Sequence, residues 1–185
     1  MAVKNKTRKE VNAASKSTKF SYIITLVAAS IVDWAALNAL WKQKTGAKIT
    51  SKLPLLELPQ GETEAEQYHT IECKPGTVVP VINAGEAPMD GKLEITAITE
   101  GLDDKTLEWA YGMQGEEVVA IIERCSDGMR FLGANPCTGG LTFQYQSIGA
   151  QDGGTSGVNF TLSGSDCPEP MLVYEPATAP SQTQS

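Results

Sequence analysis

The chain has 185 residues, of which 41% are hydrophobic and 20% charged, and its formal net charge is −7. This length and composition predict one globular domain and exclude a chain that is disordered throughout. One histidine, four cysteines without paired spacing and no phosphate-binding glycine loop leave no recognisable catalytic or cofactor-binding constellation. We therefore expect a protein that is not an enzyme and that holds no cofactor or metal.

Charge is unevenly distributed along the chain. Residues 1–52 carry ten basic and two acidic residues, which gives +8, and the remainder carries five basic and twenty acidic residues, which gives −15. Each part can supply the counter-charge of the other, so this layout indicates either neutralisation within one molecule or head-to-tail association with a like molecule. The alternative is a solvated basic tail beside an acidic surface.

Residues 1–19 are predicted to form a basic, flexible arm in front of a single folded domain at 20–175. Four closely spaced basic residues lie in this arm: Lys4, Lys6, Arg8 and Lys9. We expect the arm to contact acidic segments of a neighbouring copy. The predicted subunit interface therefore joins those four residues to five acidic ones: Glu62, Glu64, Glu66, Asp103 and Asp104.

The apolar stretch Phe20–Trp41 follows the arm. Its 22 residues and its basic flank would fit a membrane span or an export segment. Asp33 interrupts it, however, and favours a division into a strand at Phe20–Val27 and a helix that Asp33 caps. Four apolar residues recur at helical spacing in this helix: Trp34, Leu37, Leu40 and Trp41.

Residues 47–91 form a proline-rich region in which regular structure is interrupted every few residues. The run Glu62–Glu66 is predicted to be an exposed acidic loop. Extended pieces are predicted at Gln67–Cys73 and Thr77–Ile82. An irregular region of this length indicates a binding or assembly loop.

From Lys92 the pattern becomes regular. Alternation predicts a half-buried strand that contains Leu93, Ile95 and Ala97. Asp103 or Asp104 is then predicted to cap a short helix. The spacing puts three residues on one face of this helix, with Trp109 beside them: Leu107, Ala110 and Tyr111.

The remaining segments alternate between strands and turns. The strands are predicted at Val118–Ile122, Met129–Leu132, 141–146, 158–162 and Met171–Tyr174, with a hairpin turn at Asp127-Gly128. Phe143 and Phe160 should face one buried layer. This pattern predicts a mainly β fold with minor α, an antiparallel β-sandwich or barrel with one or two short helices. Residues 176–185 are predicted to be a disordered tail.

The order of elements from Trp109 onward resembles the C-terminal half of structural proteins of tailed bacteriophages, in particular tail tube proteins. The resemblance follows the helix with Trp109 and a series of short motifs: Glu123-Arg124, Ser126-Asp127-Gly128, Phe131-Leu132-Gly133, a glycine-rich loop at 149–157, Gly157-Val158-Asn159-Phe160-Thr161-Leu162, and Pro170-Met171-Leu172-Val173-Tyr174. It spans about a third of the chain.

The resemblance implies a β-sandwich that assembles with itself into rings, commonly of six, which stack around a channel for DNA. Such a protein is found in the virion after assembly in the bacterial cytoplasm. Its partners are copies of itself and other virion proteins, DNA passes it without specific binding, and it takes no small-molecule substrate. An acidic body would suit such a channel, because fixed cations would retain DNA.

Two other interpretations remain open. A head-to-tail connector, a neck protein or a capsid auxiliary protein would need the same sandwich and the same arm. A secreted or surface β-sandwich that binds carbohydrate or protein would instead use Phe20–Trp41 as its export segment and would oxidise its cysteines. For the virion protein we expect reduced cysteines that pack as small hydrophobic residues.

Overall fold

The computed structural model describes residues 22–83, 91–136, 139–150, 156–167 and 169–176. These ranges contain two α-helices, α1 (Trp34–Lys42) and α2 (Asp104–Met113), and two 3-10 turns, Ala29–Ile31 and Glu64–Gln67. They also contain ten strands: β1 (Tyr22–Ala28), β2 (Lys48–Ile49), β3 (His69–Ile71), β4 (Val79–Asn83), β5 (Lys92–Ile98), β6 (Glu117–Arg124), β7 (Arg130–Gly133), β8 (Leu141–Ala150), β9 (Ser156–Gly164) and β10 (Met171–Tyr174). The predicted class, mainly β with minor α, is confirmed.

The strands form one open sheet in the order β2-β10-β7-β6-β8-β9-β5-β4, with β1 paired to β6 and β3 paired to β1. Strand β6 is the junction, because it pairs with β7 at Ala120–Glu123 and with β8 only at Glu117 and Val118. We call β2, β10, β7, β6, β1 and β3 the first half-sheet, and β8, β9, β5 and β4 the second half-sheet. The pairings are antiparallel except between β10 and β2, so the sheet is mixed rather than purely antiparallel.

A first core lies between the two half-sheets. Phe143 and Phe160 are fully buried and stack with ring centroids 5.1 Å apart, which confirms that they share one layer. Trp109 of α2 meets the two rings edge-on at 5.1 and 5.6 Å. Ile24 and Ile122 contribute to this core from the first half-sheet.

A second core lies on the opposite face of the first half-sheet, where α1 covers it with Leu37 and Trp41. Strand β6 serves both cores, because alternate residues of a strand point to opposite faces. Ala120 and Ile122 belong to the first core, whereas Val119 and Ile121 belong to the second. This double burial explains why the central residues of β6, from Val118 to Ile122, are continuously apolar instead of alternating.

Both helices begin where the sequence predicts. The Asp33 carboxylate accepts a hydrogen bond from the Ala36 N–H at 3.1 Å, and the Asp103 carboxylate accepts one from the Thr106 N–H at 2.7 Å. Such caps satisfy N–H groups that lack a partner within the helix. None of the described helices has the length and apolar character needed to cross a membrane.

The predicted face of α2 is partly wrong. Ala110 is buried, but its buried neighbours are Trp109 and Met113, whereas Tyr111 is 60% exposed. The contacts of Trp109 with the two phenylalanines set the rotation of the helix. Tyr111 instead packs edge-on against Tyr145, with ring centroids 6.0 Å apart.

The proline-rich region at 47–91 contains only short elements. The predicted extended piece Gln67–Cys73 begins as the end of a 3-10 turn, continues as β3, and ends with a single bridge from Cys73 to Thr99. The predicted piece Thr77–Ile82 corresponds to β4, which pairs with β5. The predicted arm at 1–19 and all of the predicted tail after Pro176 lie outside the described residues.

Candidate functional site

The outer face of the second half-sheet is a polar surface without a covering layer among the described residues. Inward residues of β5 are apolar, whereas Glu94 and Thr96 point outward. The strand register places Thr96 opposite Thr161, and Thr161 opposite Gln144. We call this surface the polar face. Its side chains line an open groove of about 630 Å³: Thr77, Lys92, Glu94, Thr96, Gln144, Gln146, Asn159, Thr161 and Ser163.

The polar face carries almost no net charge. Its charged groups are Lys92 and Glu94, whose Nζ and Oε2 atoms are 3.1 Å apart. The other polar side chains of the groove are hydroxyls and amides. A second groove of about 440 Å³ continues the surface from Lys92 and Ser163 toward Glu117 and Asn135. A surface of this kind offers hydrogen bonds but little electrostatic attraction for an ion.

Candidate reactive groups lie away from the polar face. His69 is half-buried in β3, and burial lowers the pKa of its imidazole. Cys73 forms no disulfide, and burial raises the pKa of its thiol. A thiol with a raised pKa is a poor nucleophile at neutral pH. Among the described residues, no group of three or more His, Cys, Asp or Glu side chains is placed to hold a metal ion.

The predicted acidic loop Glu62–Glu66 contains the start of an exposed 3-10 turn, and its side chains form hydrogen bonds within the loop and with Gln67. The Gln67 amide donates to Glu62 at 3.2 Å, and the Thr63 N–H donates to Glu66 at 2.9 Å. Glu64 forms an ion pair with Lys52 at 2.7 Å. Each acid therefore has a local structural role, and all three remain available at the surface because they are exposed or half-exposed.

The two predicted acidic segments belong to different parts of the molecule. Asp103 caps α2, which packs on the first core, and Asp104 is exposed in its first turn. The 3-10 turn at Glu64–Gln67 instead leads into Tyr68, which packs against the second core. The acids of the 3-10 turn and those at the start of α2 therefore belong to separate elements that pack on different cores. The basic partners Lys4, Lys6, Arg8 and Lys9 lie outside the described residues, so the arm interface stays a prediction.

Sequence reasoning did not identify the polar face or the exposed character of β4. The polar face is formed by residues that are distant in the sequence. The cross-strand register places Thr96, Thr161 and Gln144 beside one another. For β4 a signal was present, because Val79–Asn83 holds no charged residue. No family of known proteins, no curated protein and no solved structure matches the chain.

Proposed function

We propose that this protein is a structural subunit of a tailed-bacteriophage virion and that its position is the tail tube, where copies form stacked rings around the DNA channel. The neutral polar face carries this proposal. Double-stranded DNA has one negative charge per about 1.7 Å of its axis, and each basic residue that neutralises a phosphate strengthens binding. A channel wall has to let DNA pass, so it has to avoid unpaired cations.

The polar face meets this requirement by neutrality rather than by acidity. Lys92 is its basic residue and is paired with Glu94, and the outward side chains of β8 and β9 that line the groove are uncharged. The sequence predicts an acidic lining, and the described groove is instead close to neutral. The acidic side chains that the predicted contacts with the basic arm would use lie away from the groove, on the 3-10 turn at Glu64–Gln67 and around α2.

A channel wall also has to keep its shape. The strands that carry the polar face have their inward side chains in the first core, where Phe143, Phe160 and Leu162 are fully buried. Protein cores are packed as densely as organic crystals and resist deformation. The support under the polar face therefore suits a fixed wall better than a surface that closes around a ligand.

Negative-stain electron microscopy of the purified full-length chain tests the proposal. We expect rings or tubes with an axial channel. A Thr161→Cys variant, labelled with maleimide-gold after assembly, should carry its label inside the channel, because Thr161 lies on the polar face. Tyr111→Cys, on the exposed side of α2, is the matched control and should be labelled on the outside; the unsubstituted protein gives the background from its native cysteines.

Three other results would contradict the proposal. Monomers at every concentration would rule out a self-assembling wall. Single rings that never stack would favour a connector or neck protein. Gold on the outer surface for Thr161→Cys would show that the polar face does not line the channel.

A further inference from the structure

The outer side of α2 combines two carboxylates with an aromatic ring. Asp104, Glu108 and Tyr111 are spaced four and three residues apart, so they lie along one stripe of the helix. All three side chains are exposed, whereas Trp109 on the other side of the helix packs into the first core. The ring of Tyr111 rests edge-on against Tyr145. We call the stripe of Asp104, Glu108 and Tyr111 the helix face.

The helix face attracts cations through both of its components. Neither Asp104 nor Glu108 forms an ion pair with another described residue, and this includes the neighbouring Lys105. An exposed tyrosine ring also attracts a Lys or Arg head group to its face. Five basic residues of the described chain are already paired with other acids: Lys44, Lys48, Lys52, Lys92 and Arg124. The complementary partner is therefore a basic segment from outside the described residues.

The basic arm joins the domain at the end where α2 begins. The antiparallel register places Ile24 opposite Ile71, so the start of β1 at Tyr22 lies beside the end of β3. Just beyond β3, Cys73 forms a bridge to Thr99, and α2 begins five residues further along the chain. The arm and the helix face therefore start from the same end of the first core.

The length of the arm suits a contact within one molecule. Lys9 precedes Tyr22 by 13 residues. A flexible segment of that length has a root-mean-square end-to-end distance of about 20 Å. Helix α2 has ten residues and is about 15 Å long. When the length of a tether matches the span, the effective concentration of the tethered group is about millimolar. A separate copy in dilute solution competes poorly with such a segment.

We propose that in the free subunit the basic cluster of the arm, Lys4–Lys9, binds the helix face of its own molecule. Its cationic head groups lie at the carboxylates of Asp104 and Glu108 and over the ring of Tyr111. This inference goes beyond the proposed function, because a contact within one molecule does not require assembly. On assembly the arm would exchange to the acids of a neighbouring copy, as the sequence predicts.

Zero-length carbodiimide crosslinking of the full-length chain locates the arm. The reagent joins a lysine amine to a carboxylate that it contacts, and a mixture of isotopically labelled and unlabelled protein separates contacts within one molecule from contacts between copies. Below the concentration needed for assembly, we expect crosslinks from the arm lysines to Asp104 or Glu108 that never combine the two isotopic forms. Crosslinks that combine both forms would place the arm on a neighbouring copy and overturn the inference. Arm crosslinks that are confined to Glu62–Glu66, or absent, would overturn it as well.

Trypsin cleavage of the arm gives a second readout under the same conditions. The variant Asp104→Asn/Glu108→Gln removes two charges from the helix face and leaves the cap at Asp103 in place. The matched control, Glu62→Gln/Glu66→Gln, removes two charges from the acidic loop. We expect cleavage within the basic cluster to be about fivefold faster in the helix-face variant than in the unsubstituted protein, which corresponds to about 1 kcal/mol. The control should be cleaved like the unsubstituted protein, and circular dichroism should show both variants folded.

The inference and the proposed function can fail separately. Equal cleavage rates in all three proteins would overturn the contact between the arm and the helix face and leave the proposed function standing. A protein that forms no rings, but whose arm is crosslinked to its own helix face, would overturn the proposed function and leave this inference standing.

Discussion

Phe143 and Phe160 hold the two half-sheets together at the level of single residues. Both rings are fully buried and stacked, and Trp109 closes the cluster edge-on. Removal of a buried aromatic ring costs its transfer free energy and leaves a cavity that the surroundings fill only in part. These side chains therefore stabilise the first core and support the strands that carry the polar face.

Phe143→Ala should lower the free energy of unfolding by about 3–5 kcal/mol, measured by urea denaturation. Phe131→Ala is the matched control, because Phe131 is only half-buried. Its ring centroid lies 5.8 Å from the Cζ atom of the Arg124 guanidinium. We expect a clearly smaller loss for the control. If the two variants lose the same free energy of unfolding, the buried, stacked ring of Phe143 stabilises the domain no more than the half-buried ring of Phe131.

At the level of elements, two glycines differ in whether a larger side chain would fit at their position. Gly157 in β9 has φ of +156°, and a Cβ built there would overlap the carbonyl oxygen of Thr99. The Thr99 side chain also accepts a hydrogen bond from the Val158 N–H at 2.9 Å, which holds the two segments close together. Gly112, inside α2, has open space around its Cβ position and ordinary helical geometry.

Gly157→Ala should therefore lower the melting temperature, because the strand has to move away from Thr99. Gly112→Ala should raise it slightly, since alanine is favoured over glycine in a helix interior by up to about 1 kcal/mol and Gly112 lies in the last turn of α2. Differential scanning calorimetry of the two variants measures both shifts. A Gly157→Ala protein that melts like the unsubstituted one would show that the close approach of β9 to Thr99 is not a constraint.

The sequence predicted those elements whose signals are local. Asp33 and Asp103 mark helix starts through bonds within one turn, and Asp127-Gly128 marks a hairpin in which the Gly128 φ is +74°. The rotation of α2 was missed because distant partners decide it, as the exposed position of Tyr111 shows. The polar face was missed for the same reason, since cross-strand register is a long-range property. The sequence predicted that the acids at Glu62–Glu66 lie on an exposed loop. It could not predict the hydrogen bonds and the ion pair that these acids form locally.

At the scale of the whole molecule, charge separation between the arm and the body remains the feature to be tested. Residues 1–19 are too polar to form a core of their own, and the two described cores begin at β1. We therefore expect far-ultraviolet circular dichroism to stay unchanged when residues 1–19 are removed. It should also raise the concentration needed for assembly, because the acids at Glu62–Glu66 and Asp103 would lose their basic partners.

A second variant separates charge from chain length in this last prediction. Replacement of Lys4, Lys6, Arg8 and Lys9 by glutamine keeps the arm but removes its charge, and it should weaken assembly as the deletion does. Individual exposed ion pairs contribute only about 0–1 kcal/mol, but a ring repeats them at every interface. Salt should weaken assembly of the unsubstituted protein more than that of either variant, because exposed charges are screened beyond about 8–10 Å. Identical salt responses in all three proteins would mean that the arm is a solvated tail and that the uneven charge of the chain has no part in assembly.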